Sequence, residues 1–214
     1  MAGTRSLLEN DGRRALLVID LQNDFCRGGA LAVPGGEDII PLVNELLKAF
    51  PISVLTQDWH PKGHCSFAPP FKDIRDSIAG GGGTEGSWPE HCVAGTWGAD
   101  FPLGLESWRA RLILRKGSRP DLDSYSAFLE NDRISTTGLA GWLKELGVSF
   151  IYVAGLATDY CVRASVLDGL ALGFGVCLVS DAVRAVDASP GDGDRAIGEL
   201  AARGCIIRRS EEIL

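Results

Sequence analysis

The order of the apolar segments restricts this chain more than any other feature. Residues 15–19 (ALLVI) form an uninterrupted apolar run, as a strand covered on both faces requires. Similar short runs recur at 52–56 (ISVLT), 111–115 (RLILR), 150–153 (FIYV), 176–179 (VCLV) and 205–208 (CIIR). Helical spacing appears between them, at 38–50 after the Gly35-Gly36 pair, and at 139–146 with Thr137 as N-cap and Gly147 as stop. It returns at 159–172, ended by Gly173, and at 194–202, closed by Gly204. Parallel strands need long crossovers, and helices supply them. The expected fold is therefore α/β: a doubly wound, mainly parallel six-stranded sheet with helices on both faces.

A chain of 214 residues is expected to form a single domain spanning 1–214. One stretch breaks the alternation: residues 60–104 are irregular and rich in Gly, Pro and Trp, with four glycines at 80–83 that read as a flexible connector or lid hinge. A loop this long inside a compact domain is usually functional or disordered. The net charge of -7 argues against a nucleic-acid or membrane-surface partner, because binding phosphate needs a basic face. No apolar run is long enough to span a bilayer. The opening MAGTRSLLENDGRR lacks the apolar core of a secretory signal, so a cytoplasmic location and a small-molecule partner are expected. Self-association is left open.

Ligands of open α/β sheets bind beyond the carboxyl ends of the strands. Four such ends carry reactive groups here: Asp20 after the first strand, Asp58 and His60 after the second, Lys116 after the third, and the segment GLATDYC, ending in Cys161, after the fourth. Of six cysteines, none forms a CxxC pair, and in a reducing compartment a disulfide framework is not expected. Cys177 and Cys205 fall in apolar strands and read as core. Cys161 falls in the first turn of a helix, where free N–H groups and the dipole favour a thiolate and could hold an oxyanion. Asp20 could accept the thiol proton and return it to a leaving amine, with Lys116 holding the carboxylate. A structural Asp20–Lys116 ion pair is the bland alternative.

Asp58 and His60 are two apart on an extended segment and so face one side, and His91 could add a third ligand. One carboxylate and two imidazoles suit zinc, iron or manganese and leave positions open for water or substrate. A rival structural zinc site would use His64-Cys65 with His91-Cys92, but adjacent ligands make an awkward tetrahedron.

The motifs IDLQNDF, QDWHPKGHCSFA, WPEHCVAGTWGADF, RKG with DSYSAF, and GLATDYCV, in this order over residues 15–208, resemble the nicotinamidases (pyrazinamidases) of the isochorismatase-like cysteine hydrolases. The resemblance implies Asp20, Lys116 and Cys161 as a catalytic triad and Asp58, His60 and His91 as ligands of one divalent metal ion, zinc first, with iron and manganese as alternatives. It implies an oxyanion hole from the N–H groups of Ala157 and Cys161, with the Leu156–Ala157 peptide at the family's cis bond. Phe25, Trp88, Tyr125 and Leu156 would contact a flat pyridine ring. Where some members place another metal-facing histidine or glutamate, this chain has Ser66, which would reach the metal through water. Roles for His64, Cys65 and Cys92 do not follow, and the stretch 73–87 is longer and more glycine-rich than the family suggests.

The expected reaction is hydrolysis of nicotinamide, and of pyrazinamide, to the carboxylate and ammonia through a Cys161 thioester, in NAD salvage. The alternatives are a related cysteine amidohydrolase acting on an N-carbamoyl or ureide compound, which would need the triad but not the metal set, a metal-free isochorismatase, and a non-catalytic small-molecule sensor.

Overall fold

A computed structural model describes residues 13–67 and 88–214. The 80–83 glycines and the 73–87 stretch lie outside the described residues. Six strands form one sheet: β1 (Arg13–Ile19), β2 (Ser53–Asp58), β3 (Leu112–Lys116), β4 (Val148–Leu156), β5 (Gly175–Arg184) and β6 (Ile206–Arg208). Their order is β3-β2-β1-β4-β5-β6, and every pairing is parallel. The described α-helices are α1 (Ile40–Ala49), α2 (Leu139–Glu145), α3 (Arg163–Ala171) and α4 (Asp192–Ala202).

Alternation along each strand divides the core in two. Leu16 and Val18 of β1, with Leu55, Tyr152, Ala154, Cys177 and Val179, pack on one face beneath Val43, Leu46 and Leu47 of α1. Ala15, Leu17 and Ile19 pack on the other face with Ile151, Val153, Val176 and Leu178, under Leu139 and Leu143 of α2, Val166 of α3 and Leu200 of α4. Strands buried on both sides must be apolar at consecutive positions, which is what the runs in the sequence record. Cys177 and Cys205 are buried in these cores.

The strands outrun their apolar signal. β4 continues through Ala154 and Gly155, and β5 through Ser180 and Asp181, because the backbone ladder persists where side chains turn small or polar. Gly155 needs its missing side chain: a Cβ there would sit 2.1 Å from the Ile19 carbonyl oxygen. The 159–172 helix divides into a π-helical turn, Thr158–Val162, followed by α3. Gly138, not Thr137, holds the N-cap position of α2, though Thr137 Oγ1 still accepts the Leu139 N–H at 3.3 Å. Among the described residues, no helix is long and apolar enough to cross a membrane.

In this strand order the winding reverses between β1 and β4. That switch opens a crevice at their carboxyl ends, where Asp20 and the Leu156–Ala157 junction lie.

Candidate active site

Asp58 and Lys116 are the last residues of neighbouring strands and are partners in the ladder register. The register alone brings Lys116 Nζ onto Asp58 Oδ1. The same ammonium lies 2.9 Å from Asp20 Oδ2, 3.6 Å from Cys161 Sγ and 3.0 Å from the Ser124 carbonyl oxygen, to which it donates. Lys116 is 1 % exposed. A buried cation persists only when paired and hydrogen-bonded. Here Asp20 and Asp58 overcome the cost of burial and hold the lysine well above its usual pKa.

Asp20 leaves β1 in the left-handed region, at φ 44°. Thr56, on the neighbouring strand, secures it in both directions: its hydroxyl donates to Asp20 Oδ1 at 2.5 Å, and its oxygen accepts the Asp20 N–H at 3.0 Å. Oδ2 has the Lys116 charge beside it but no aligned hydrogen bond, which leaves an oxygen able to take a proton. Burial raises Asp20 to about 6, and Lys116 prevents a larger rise. Burial likewise drives the Cys161 thiol well above its usual range, against Lys116 and with help from Asp20. The helix start and Lys116 favour a thiolate, and burial opposes one, which suits a thiol that gives its proton to Asp20.

The opposite wall carries imidazoles. His60 Nε2 and His91 Nε2 lie 3.6 and 3.9 Å from Asp58 Oδ2. The other nitrogen of each ring is aimed at a carbonyl: His60 Nδ1 at Gly117 (2.9 Å) and His91 Nδ1 at Pro89 (2.8 Å). A carbonyl can only accept, so each Nδ1 donates and each Nε2 lone pair points towards Asp58, the usual arrangement for imidazoles prepared for a metal ion. Gly117, at φ 62°, permits this, because a Cβ there would come within 2.6 Å of the His60 ring. Burial opposes the charge on Asp58, yet Lys116 and then His60 hold it well below the ordinary carboxylate range. Burial and then His60 lower His91 to about 4, keeping it neutral. These donors fit a divalent cation: a carboxylate and two oriented imidazole nitrogens within 4.8 Å of one another. Among the described residues no such donor group includes Cys65 or Cys92, so the rival cysteine–histidine set is not assembled. The Cys92 backbone instead donates to Asp24 Oδ2 at 2.7 Å.

Between the two walls lies a small, partly open cavity. Phe25, Trp88, Tyr125, Ala157 and Cys161 line it, and Trp88 Nε1 donates to Tyr125 Oη at 3.0 Å. Leu156 does not line it: its side chain is fully buried in the core and approaches Gly36. The Leu156–Ala157 peptide is cis. Ser66 is buried with its hydroxyl 2.7 Å from His64 Nδ1. Sequence reasoning missed Tyr160, whose ring meets Trp88 edge-on at 5.0 Å, and Asp123, whose carboxylate lies near His60 and His64. Tyr160 adjoins Cys161 in the motif and could have been read from it. Asp123, in an irregular loop, opens the DSYSAF motif and could have been read from its place two residues before Tyr125.

The isochorismatase domain family matches residues 14–212. The nicotinamidase of Acinetobacter baylyi is 44 % identical over 202 residues, covering 94 % of each chain. A solved nicotinamidase/pyrazinamidase structure from Acinetobacter baumanii superposes with a TM-score of 0.86 at 40 % identity, covering 96 % of this chain and 100 % of that one. The pyrazinamidase of Pyrococcus horikoshii, solved in complex with zinc, is 41 % identical with a TM-score of 0.75, covering 92 % of this chain and 99 % of that one. This chain therefore belongs to the isochorismatase domain family, among its nicotinamidases and pyrazinamidases.

Proposed function

We infer that this protein hydrolyses nicotinamide to nicotinate and ammonia, and pyrazinamide to pyrazinoate in the same way. The observation that carries the reading is the cavity itself: one wall holds a thiol beside a proton-accepting carboxylate, and the other holds an oriented imidazole–carboxylate set. The similarity to nicotinamidases over nearly the whole chain supports the same substrate. An N-carbamoyl or ureide substrate would leave the Asp58, His60 and His91 set without a use.

In this reading Cys161 Sγ attacks the carboxamide carbon as its proton passes to Asp20, and the carbonyl electron pair moves onto oxygen. The N–H groups of Ala157 and Cys161 hold that oxyanion. Asp20 then gives its proton to the departing nitrogen, the C–N bond breaks, and ammonia leaves a thioester on Cys161. Asp20 next takes a proton from water as the water attacks the thioester. Loss of the thiolate, reprotonated by Asp20, yields nicotinic acid, which releases its proton to solvent as nicotinate. Lys116 stays cationic throughout and stabilises the negative charge on sulfur and on both carboxylates. Phe25, Trp88 and Tyr125 sandwich the ring and exclude water. Asp58, His60 and His91 would hold a divalent cation, zinc first, which would supply a Lewis acid for the ring nitrogen. The chain acts as one catalytic domain in NAD salvage in the cytoplasm.

The test is ammonia release by the purified protein with nicotinamide, pyrazinamide and an N-carbamoyl amino acid. Turnover of the two ring amides is expected. Turnover of the N-carbamoyl compound alone, or undiminished turnover in Cys161→Ala, overturns the reading.

A further inference from the structure

One imidazole beside the site has no part in the chemistry above. His64 is buried, and its ring stacks on that of His60, with centroids 4.2 Å apart and planes 24° from parallel. With His60 and Asp123 it forms a second group of potential metal donors on distance alone. Its hydrogen bonds say otherwise. Nε2 lies 3.1 Å from the Leu122 carbonyl oxygen, which can only accept, so Nε2 carries the hydrogen. Nδ1 accepts the Ser66 backbone N–H at 3.3 Å, so Nδ1 presents its lone pair. The Ser66 hydroxyl, 2.7 Å from the same nitrogen, must then donate its one hydrogen there, and its oxygen has only lone pairs left to offer. Both nitrogens of His64 are therefore committed within the protein.

We propose that His64 is a positioning residue for the cation cluster and not a ligand in it. As a neutral, Nε2-protonated ring it makes Ser66 Oγ a pure acceptor beside the His60 imidazole on which it stacks. Through its own bonds and those of Ser66, three segments that bound the cavity are joined. The His60–Ser66 turn is one. The loop through Leu122, which continues into Asp123 and Tyr125, is the second. Trp88 is the third, since its N–H donates to the Ser66 carbonyl at 3.1 Å. An acceptor-only hydroxyl suits a cation-bound water, which presents its hydrogens outward. The role in the cluster rests on the metal reading above; the tautomer does not.

The chain has three histidines, so the imidazole nitrogens of ¹⁵N-labelled protein form a simple spectrum. Long-range ¹H–¹⁵N correlations are recorded on metal-free and zinc-loaded protein. His64 is expected to show a bare Nδ1 and a protonated Nε2 in both, while Nε2 of His60 and of His91 shifts on loading. A protonated Nδ1, or a His64 nitrogen that shifts to a metal-bound value, overturns the proposal. Zinc affinity, measured by competition with a chromophoric chelator, supplies the second arm. His64→Phe keeps the stacked ring and loses both hydrogen bonds; it should still bind one zinc per chain, roughly 10–100-fold more weakly. His64→Asn, whose Oδ1 can accept from Ser66, should recover most of that loss. Unchanged affinity in folded His64→Phe, or no recovery in His64→Asn, overturns the role. If His64→Phe does not fold, the wild-type spectrum decides. Wild-type protein that binds no zinc defeats the metal reading instead, and is told apart because the metal-free spectrum still reports the His64 tautomer.

Discussion

The two walls of the cavity are built by different means. Asp58 and Lys116 end neighbouring strands, where the ladder register sets their spacing, and Asp20 follows β1 directly, tied to Thr56 of β2. His60, His64 and His91 stand on irregular segments, where imidazole-to-carbonyl hydrogen bonds do the same work one ring at a time. The first wall concentrates charge around one buried ammonium; in the second, burial and then His60 lower His64 and His91, while Asp58 raises His60 against its own burial. Asp58 belongs to both, with Oδ1 on Lys116 and Oδ2 facing the imidazoles. A site divided in this way can lose its nucleophile or its cation separately, but it cannot lose Lys116 without disturbing both.

The largest expected effect falls on the first wall alone. Cys161→Ala should lower kcat by about 10⁴-fold or more while zinc affinity stays at the wild-type value. A parallel loss of zinc would break the distinction between the walls. Lys116→Met tests the group they share. It leaves two buried carboxylates facing each other and should cost about 3–5 kcal/mol in urea unfolding, with loss of both turnover and tight zinc binding. Stability within about 0.5 kcal/mol of wild type would mean that the ammonium does not join the walls.

His91→Ala addresses the second wall. It should release zinc and lower kcat/KM by about 10²–10³-fold, while the alkylation rate of Cys161 by iodoacetamide is unchanged. A changed alkylation rate would show that the cation also controls the thiol. The smallest effect is a displacement in pH. Asp20 must be a carboxylate to take the Cys161 proton, so kcat/KM should fall on the acid side near the Asp20 pKa of about 6. The Thr56 hydroxyl donates to Asp20 and stabilises its charged form, so Thr56→Val should move that acid limb to higher pH and cost about 1–2 kcal/mol of stability. A limb that stays in place would separate Asp20 from the proton transfer.

Residues at strand ends were the readable part of the site. Asp20, Asp58 and Lys116 each follow an apolar run, so knowing that ligands gather at strand carboxyl ends was enough to pick them out. Cys161 was readable by position, but how strongly burial opposes its thiolate was not, because that depends on the neighbours packed around it. Thr56 was invisible because a threonine within a strand looks like any β-branched residue until the adjacent strand brings Asp20 to it. Asp123 and the partners of His64 lie in loops, where no periodicity marks which side chains meet.

The order of apolar runs and helical spacings by itself determined a parallel, doubly covered sheet and the edge on which its chemistry gathers, because a chain must bury both faces of such strands and can connect them only by crossovers. The tertiary structure alone decided which polar groups share a proton, a charge or a ring plane. Those depend on distances of a few ångströms between segments as far apart as Asp20, Lys116 and Cys161, and on how much water the closed core leaves around them.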